Sequence, residues 1–281
     1  MRTHSFPIDS GQSFPRAPSE LIDIKTLETR MNRLIVLLLL TGTAFANGSV
    51  TDDVRITSEG LGYDLQYRVY LPEGHESRSD HPVLFLTDGQ SYISRGHMHM
   101  TLDKLIADGK IEPVIAVFVD PRDPDNLRSN RRNAEFLCNP DYLKFYADEL
   151  IPTIERKYPV TADREGRTIM GLSFGGTNAA CFGVLGYDTF SGIAMQSPAN
   201  HPVKDLLPAY EEMPVLPLRI FLSTGKPDDN TQANRRFRTI LQDKGYEMEY
   251  VEVRQGHNWD NWQPLLDDVL MYFYSSDEPE S

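Results

Sequence analysis

Short apolar runs without polar alternation recur along the chain, at Val83–Leu86 and Val114–Val119. A strand that faces water on one side alternates apolar and polar residues. A run that does not alternate is covered on both faces, as in a parallel sheet. Thr168–Met170, Ile193–Gln196, Arg219–Ser223 and Met248–Val253 predict further strands, and Val54–Ile56 with Tyr67–Leu71 predict an opening hairpin ended by Pro72-Glu73-Gly74. Other segments repeat at helical spacing. Tyr142, Phe145, Tyr146, Leu150 and Ile154 fall on one face of a helix that starts at an Asn139-Pro140 cap and runs to about Tyr158. Thr101–Asp108, Thr177–Leu185, Arg235–Leu241 and Trp259–Tyr274 predict four more helices. Strands that alternate with helices specify one α/β domain, with a mainly parallel central sheet and helices on both faces. Ligands in such a domain bind beyond the carboxyl ends of the strands.

The N-terminal part follows another pattern. Met31-Asn32-Arg33 is a short basic start, Leu34–Leu40 is continuously apolar, and Ala44-Phe45-Ala46 is a small-residue cleavage site. Together they predict a secretory signal peptide over residues 31–46, too short in its apolar run to span or anchor in a bilayer. Residues 1–30 carry Glu20, Asp23 and Glu28, with Pro7, Pro15 and Pro18, and are expected to be disordered or untranslated. The domain proper is then 47–281, periplasmic or secreted. Net charge is -13, which argues against nucleic acid as a partner. The cysteines, Cys138 and Cys181, make neither a disulfide framework nor a zinc site. They are expected to be free and buried, although an oxidising compartment permits a bond.

Chemistry concentrates at the predicted strand ends. Gly171-Leu172-Ser173-Phe174-Gly175 is a Gly-x-Ser-x-Gly pentapeptide between a predicted strand and a predicted helix. Such a pentapeptide arises by chance in roughly one chain of this length in ten. The strand–turn–helix context is what a nucleophile elbow needs. A Cβ on either side of the serine would collide within so tight a turn. A serine hydroxyl needs an adjacent base. Asp228 and then His257 follow Ser173 at later strand ends, in the order Ser, acid, His of an α/β-hydrolase. The backbone N–H groups of Phe174 and of Gln90, just after Gly89, are placed to bind an oxyanion.

These residues resemble a known family. Gly171-Leu-Ser-Phe-Gly-Gly176, Leu84-Phe-Leu-Thr-Asp-Gly89, Arg132-Asn-Ala-Glu135 with Phe136-Leu-Cys-Asn139, Glu149-Leu-Ile-Pro152, and Gly256-His-Asn-Trp259 with Trp262 are similar to the esterase D-like branch of the α/β-hydrolases. That branch holds enterochelin (siderophore), feruloyl and acetylxylan esterases, S-formylglutathione hydrolases and mycolyltransferases. The resemblance covers about residues 60–275, and the Arg132–Asn139 segment looks closest to enterochelin esterases. It implies Ser173 as nucleophile, His257 as base and an acid three residues after Gly225, which is Asp228, with no metal and no organic cofactor. Adjacent Asp229 shares that loop, and only one of the two carboxylates can meet the imidazole. The chain departs from the family pattern with Asn258 after the histidine and with Pro198-Ala199-Asn200 where bulky aromatics are common.

Arg122, Arg128, Arg131 and Arg132 crowd the segment beyond Asp120. Arginine suits carboxylates, catecholates and aromatic faces. Arg128, Arg131 and Arg132 are therefore candidate contacts for an anionic or catecholate ester such as a siderophore. The competing expectation is that they pair with Asp123, Asp125 and Glu135, Arg132 with Glu135 first. The overall expectation is a secreted serine ester hydrolase acting on a small-molecule or carbohydrate ester. The alternatives are an acetyl or feruloyl carbohydrate esterase, a mycolyl-type acyltransferase, and a binding protein that kept the fold.

Overall fold

Val83–Leu86 forms strand β4 and Ile115–Asp120 forms β5, with every residue of both buried. The computed structural model describes residues 47–276. The predicted signal peptide and residues 1–30 lie outside the described residues. The other strands are β1 (Ser49–Val50), β2 (Val54–Ser58), β3 (Tyr63–Leu71), β6 (Arg122–Asp123), β7 (Asn126–Asn130), β8 (Arg167–Leu172), β9 (Gly192–Gln196), β10 (Arg219–Thr224) and β11 (Glu247–Glu252). Among the described residues, one sheet runs β1-β3-β5-β4-β8-β9-β10-β11, with β2 on β3. Pairings from β5 through β11 are parallel, and those of β3 with β1, β2 and β5 are antiparallel. The expected hairpin is thus the antiparallel flank of the sheet. Strands β6 and β7 make a separate small hairpin.

Alternate strand residues feed two cores, as doubly covered strands require. Val83, Phe85, Val117, Ile169, Ile193 and Leu222 join one, and Leu84, Leu86, Phe118, Met170, Ala194 and Phe221 the other. The helices are α1 (Gly89–Ser94), α2 (Met98–Ala107), α3 (Arg132–Glu135), α4 (Pro140–Lys144), α5 (Ile151–Lys157), α6 (Phe174–Leu185), α7 (Leu206–Glu212), α8 (Thr231–Lys244), α9 (Trp259–Trp262) and α10 (Leu266–Tyr274).

Three helices depart from expectation for local reasons. The helix capped by Asn139, whose side-chain Oδ1 accepts from the Asp141 and Tyr142 N–H groups, passes through a π turn over Phe145–Leu150. Pro152 has no N–H to give the carbonyl one turn back, so the regular ladder cannot continue there. Pro264 likewise divides the expected Trp259–Tyr274 helix into α9 and α10. Helix α8 extends beyond its predicted ends and stops at Gly245, whose φ of 83° lets its N–H reach the carbonyls of Leu241 and Gln242.

Cys138 and Cys181 are disulfide-bonded, correcting the expectation of free thiols. The segment after α3 packs on α6 and brings the two Cα atoms to 5.0 Å, although they stand 43 residues apart in sequence. The bond ties the arginine-bearing segment to the helix that begins at Phe174. Among the described residues, no helix is long and apolar enough to cross a membrane.

Register decides where the site forms. Leu86 lies opposite Met170, Leu172 opposite Gln196, and Ser223 opposite Gln196. The residues that follow, Thr87, Ser173, Ser197 and Thr224, therefore emerge along one edge of the sheet.

Candidate active site

Ser173 sits between β8 and α6 with φ 55° and ψ -121°, a conformation side chains rarely adopt. Such backbone costs on the order of 1–3 kcal/mol and persists only where the surroundings fix it. Here the Ser173 N–H donates to Gln196 at 2.9 Å, and its carbonyl accepts from Thr177 and Ala199. The flanking glycines are needed for space. A Cβ on Gly171 would lie 2.2 Å from the Gly175 backbone, and one on Gly175 would lie 2.5 Å from the Thr87 hydroxyl. The second clash comes from the end of β4, an element the local turn geometry alone does not reveal.

His257 follows β11 and closes the constellation. Its Nε2 is 2.8 Å from Ser173 Oγ, and its Nδ1 is 2.7 Å from Asp229 Oδ1. A carboxylate only accepts, so Nδ1 carries the proton and Nε2 is left to accept from the serine hydroxyl. The carboxylate that meets the imidazole is therefore Asp229, and the expectation that Asp228 does so is corrected. Asp228 is exposed, with a backbone φ of 57°, and it meets His257 through its main-chain carbonyl, which accepts the His257 N–H at 3.1 Å. With that carbonyl turned toward the histidine, the next side chain enters the site.

The Asp229 carboxylate has no exposed surface. Its Oδ1 also accepts from the Asn230 N–H, and its Oδ2 accepts from the Ser197 hydroxyl at 2.6 Å, the Gly225 N–H and the Asn261 amide at 3.2 Å. Burial alone would push its pKa up. The hydrogen bonds from His257, Ser197, Gly225 and Asn230 outweigh it and hold the group down at about 2. Asp229 is thus a fixed anion across the physiological range.

The cage around that anion holds positioning residues to which the sequence reading gave no role. Ser197 Oγ accepts from the Asn261 amide at 3.1 Å and from the Trp262 indole N–H at 3.0 Å while it donates to Asp229. The Trp262 ring stands edge-on to His257, with centroids 5.0 Å apart. The Gln196 amide donates to the Trp262 carbonyl, and Gln196 accepts from the Tyr92 hydroxyl. The Gln196-Ser197 and Trp262 motifs were visible in sequence, but their meeting around one carboxylate was not.

Phe174 and Gln90 occupy the first turns of α6 and α1. First-turn N–H groups lack intrahelical partners and favour negative charge. The turn into α1, with Asp88 at φ 56°, packs against the elbow: Asp88 Oδ2 would lie 3.2 Å from a Cβ on Gly175. The two helix starts are therefore neighbours.

The arginines part company. Arg132 is 2.8 Å from Asp88 and lies 5.8 Å from the Phe174 ring centre, so it borders the elbow. The expected pairing of Arg132 with Glu135 is not formed. Glu135 is buried instead and accepts from the Tyr63 hydroxyl at 3.0 Å. Burial pushes its carboxyl up to about 7, against the pull of Tyr63 and Arg131. Arg131 pairs with Asp123 at 3.0 Å and lies over the Tyr63 ring, and Arg122 pairs with Asp120 at 2.6 Å. Asp125 pairs with Arg55. Arg128, on exposed β7, has no carboxylate partner among the described residues. Among the described residues, no group of three His, Cys, Asp or Glu side chains is placed to hold a metal ion.

A mainly parallel sheet with a strained serine elbow, and a histidine and buried aspartate at later strand ends, defines an α/β-hydrolase fold with serine-hydrolase geometry. The family model described as "Putative esterase" matches residues 58–273, and the chain belongs to that family. It is a carboxylic ester hydrolase. An endo-1,4-beta-xylanase/feruloyl esterase of Xylanibacter ruminicola is 34% identical over 133 residues, 44% of this chain and 18% of that protein. An iron(III) enterobactin esterase of Yersinia enterocolitica is 30% identical over 119 residues, 42% of this chain and 32% of that protein. The chain thus aligns with less than a third of either relative. A solved ferulic acid esterase shares the fold with a TM-score of 0.71 at 24% identity, covering 82% of this chain and 99% of that one.

Proposed function

We propose that the chain cleaves its esters through Ser173, His257 and Asp229. His257 Nε2 takes the Ser173 proton as Oγ attacks the ester carbonyl, and the Phe174 and Gln90 N–H groups receive the charge that develops on the carbonyl oxygen. The protonated imidazole, held by Asp229, gives its proton to the leaving alkoxide. Water, deprotonated by the same nitrogen, then releases the acid and restores Ser173. The hydrogen-bonded run Ser173–His257–Asp229, at 2.8 and 2.7 Å, carries this reading. A fluorophosphonate probe should label the wild type on Ser173. Ser173→Ala should lose both labelling and several orders of magnitude in aryl-ester turnover, since the triad acts as a unit. Retention of most turnover would end this reading.

Export is part of the proposal, and it rests on the Met31–Ala46 pattern. Mass spectrometry of the exported protein should find its N-terminus near Asn47, and a full-length cytosolic product would contradict export. The disulfide is consistent with an oxidising compartment.

On substrate, the paired arginines favour an ester without strong negative charge, and the feruloyl esterase relative points to carbohydrate esters. A siderophore ester is the second reading, favoured by the enterobactin esterase relative. With Arg131 and Arg132 held by carboxylates, its electrostatic support falls mainly on Arg128. Arg128→Ala should lower kcat/KM for an enterobactin-like triester tenfold or more if that reading holds. No change, together with faster turnover of acetylated or feruloylated sugars, would set it aside.

A further inference from the structure

Three segments must stay aligned for the chemistry proposed above. Ser173 stands on the elbow between β8 and α6, the Gln90 N–H on the first turn of α1, and His257 between β11 and α9. A donor serves an oxyanion only when held within about 0.5 Å of its place, so the three segments must be fixed against one another. Helix α1 has six residues, too few to be stable by itself in water. Its placement depends on what Tyr92 touches.

Tyr92 is fully buried, two residues after Gln90. Its N–H donates to the Asp88 carbonyl at 3.3 Å and closes the turn on which Gln90 lies. Its ring stands edge-on to Trp259, with centroids 5.4 Å apart, and its hydroxyl donates to Gln196 Oε1 at 3.0 Å. Gln196, the last residue of β9, is also fully buried. Its Nε2 donates to the Trp262 carbonyl at 2.8 Å. A carbonyl only accepts, so the amide nitrogen must face Trp262, and the amide oxygen is left for the Tyr92 hydroxyl. The Gln196 main-chain carbonyl accepts the Ser173 N–H at 2.9 Å.

One residue therefore bonds to the elbow through its backbone, and to α1 and the histidine segment through the two ends of its side chain. The side-chain partners lie 104 and 66 positions away in sequence, so neither bond supports a local element; both fix tertiary placement. The Trp262 end continues to the base. The indole stands edge-on to His257 at 5.0 Å, and its N–H donates to Ser197, which donates to Asp229. We infer that Gln196 is a positioning residue for the reaction: its side chain holds the oxyanion-side helix and the histidine segment in one arrangement, and Tyr92 acts on turnover through it. The inference rests on the triad reading above and adds what keeps the oxyanion donor aligned with the base.

The test is a double-mutant cycle on kcat for an aryl ester, with the rate of fluorophosphonate labelling of Ser173 as a second readout and melting temperature as the measure of stability. Tyr92→Phe removes only the hydroxyl and keeps the ring on Trp259. It should lower kcat and the labelling rate about fivefold, with KM within about twofold. Gln196→Met keeps the length, removes both bonds, and should lower the two rates about twentyfold. Because Tyr92 acts through Gln196, adding Tyr92→Phe to Gln196→Met should change kcat by less than about twofold, whereas independent roles would multiply the losses. Gln196→Glu supplies the rescue. A buried carboxyl stays protonated, and its C=O and O–H reproduce both bonds, so kcat should return to within about threefold of wild type. A lower melting temperature with both rates unchanged in the folded single variants would overturn the inference and leave a structural amide. So would losses that multiply in the double variant, or a Gln196→Glu enzyme no faster than Gln196→Met. Tyr92→Phe carries the test even where Gln196→Met does not fold, since wild-type kcat and labelling in that variant would overturn the inference. If wild type took no label at all, the triad reading itself would fall.

Discussion

Replacing Asp229 by Asn tests the catalytic geometry most sharply, because every hydrogen bond to this carboxylate comes from a donor. Oδ1 accepts from His257 and Asn230, and Oδ2 from Ser197, Thr224, Gly225 and Asn261. An amide can keep only one of the two oxygens. With its NH₂ toward Ser197, Gly225 and Asn261, it sets donor against donor inside a buried cage. With its NH₂ toward His257, it forces the Nδ1 proton onto Nε2, where the imidazole can no longer accept from Ser173. The second arrangement relieves the larger cluster of donors, so the wrong tautomer should dominate. A loss of that kind is on the order of 10⁴-fold in kcat, about 5.4 kcal/mol of barrier. Asp228→Asn changes an exposed side chain whose carbonyl, not carboxylate, meets His257, and kcat should stay within about twofold. The assay is kcat at saturating aryl ester for both variants, with folding checked by circular dichroism. A larger loss at Asp228, or a loss below tenfold at Asp229 in folded protein, would refute the assignment.

Other expectations follow from single contacts. Trp262→Phe removes the indole N–H that steadies Ser197 and should lower kcat about fivefold, roughly 1 kcal/mol, with KM nearly constant; a change in KM alone would contradict a positioning role. Glu135 titrates near 7 in the fold and at 4.5 in its ordinary state, so its stabilising contribution is complete below pH 4.5 and is lost as pH rises through 7. Glu135→Gln should abolish that loss and make the protein more stable than wild type at pH 9, by roughly 3 kcal/mol; parallel urea-unfolding curves for the two proteins from pH 5 to 9 would disprove it. Cys138→Ser with Cys181→Ser opens a bridge spanning 43 residues, which by loop entropy is worth about 4 kcal/mol, and the melting temperature should fall by ten degrees or more.

The parts legible in sequence were those fixed by short-range geometry. The unbroken apolar runs marked doubly covered strands because a buried strand has no wet face. The pentapeptide marked the elbow because only glycine fits beside a turn that puts Ser173 at φ 55°. His257 stood out among seven histidines by following the last strand. The missed parts depend on distance in space. Nothing in the order of residues says that Cys138 meets Cys181, that Ser197 bridges Asn261 and Asp229, or that Arg132 reaches back 44 positions to Asp88. The choice between Asp228 and Asp229 turned on which way a single peptide carbonyl faces, and adjacent residues of one type carry no mark of that.

The arginine-rich segment shows why composition misleads about charge at a site. Four arginines within eleven residues, on a chain of net charge -13, look like an anion trap. In the fold, Asp88, Asp120 and Asp123 each take one of them, and two of those aspartates are almost wholly buried. A buried carboxylate without a partner is costly, so each arginine in effect neutralises a charge that the strand ends already placed there. What remains on the surface of the cleft is not positive potential but direction: planar N–H edges held in place by their carboxylates. Fixed donors of this kind discriminate by geometry more than by charge.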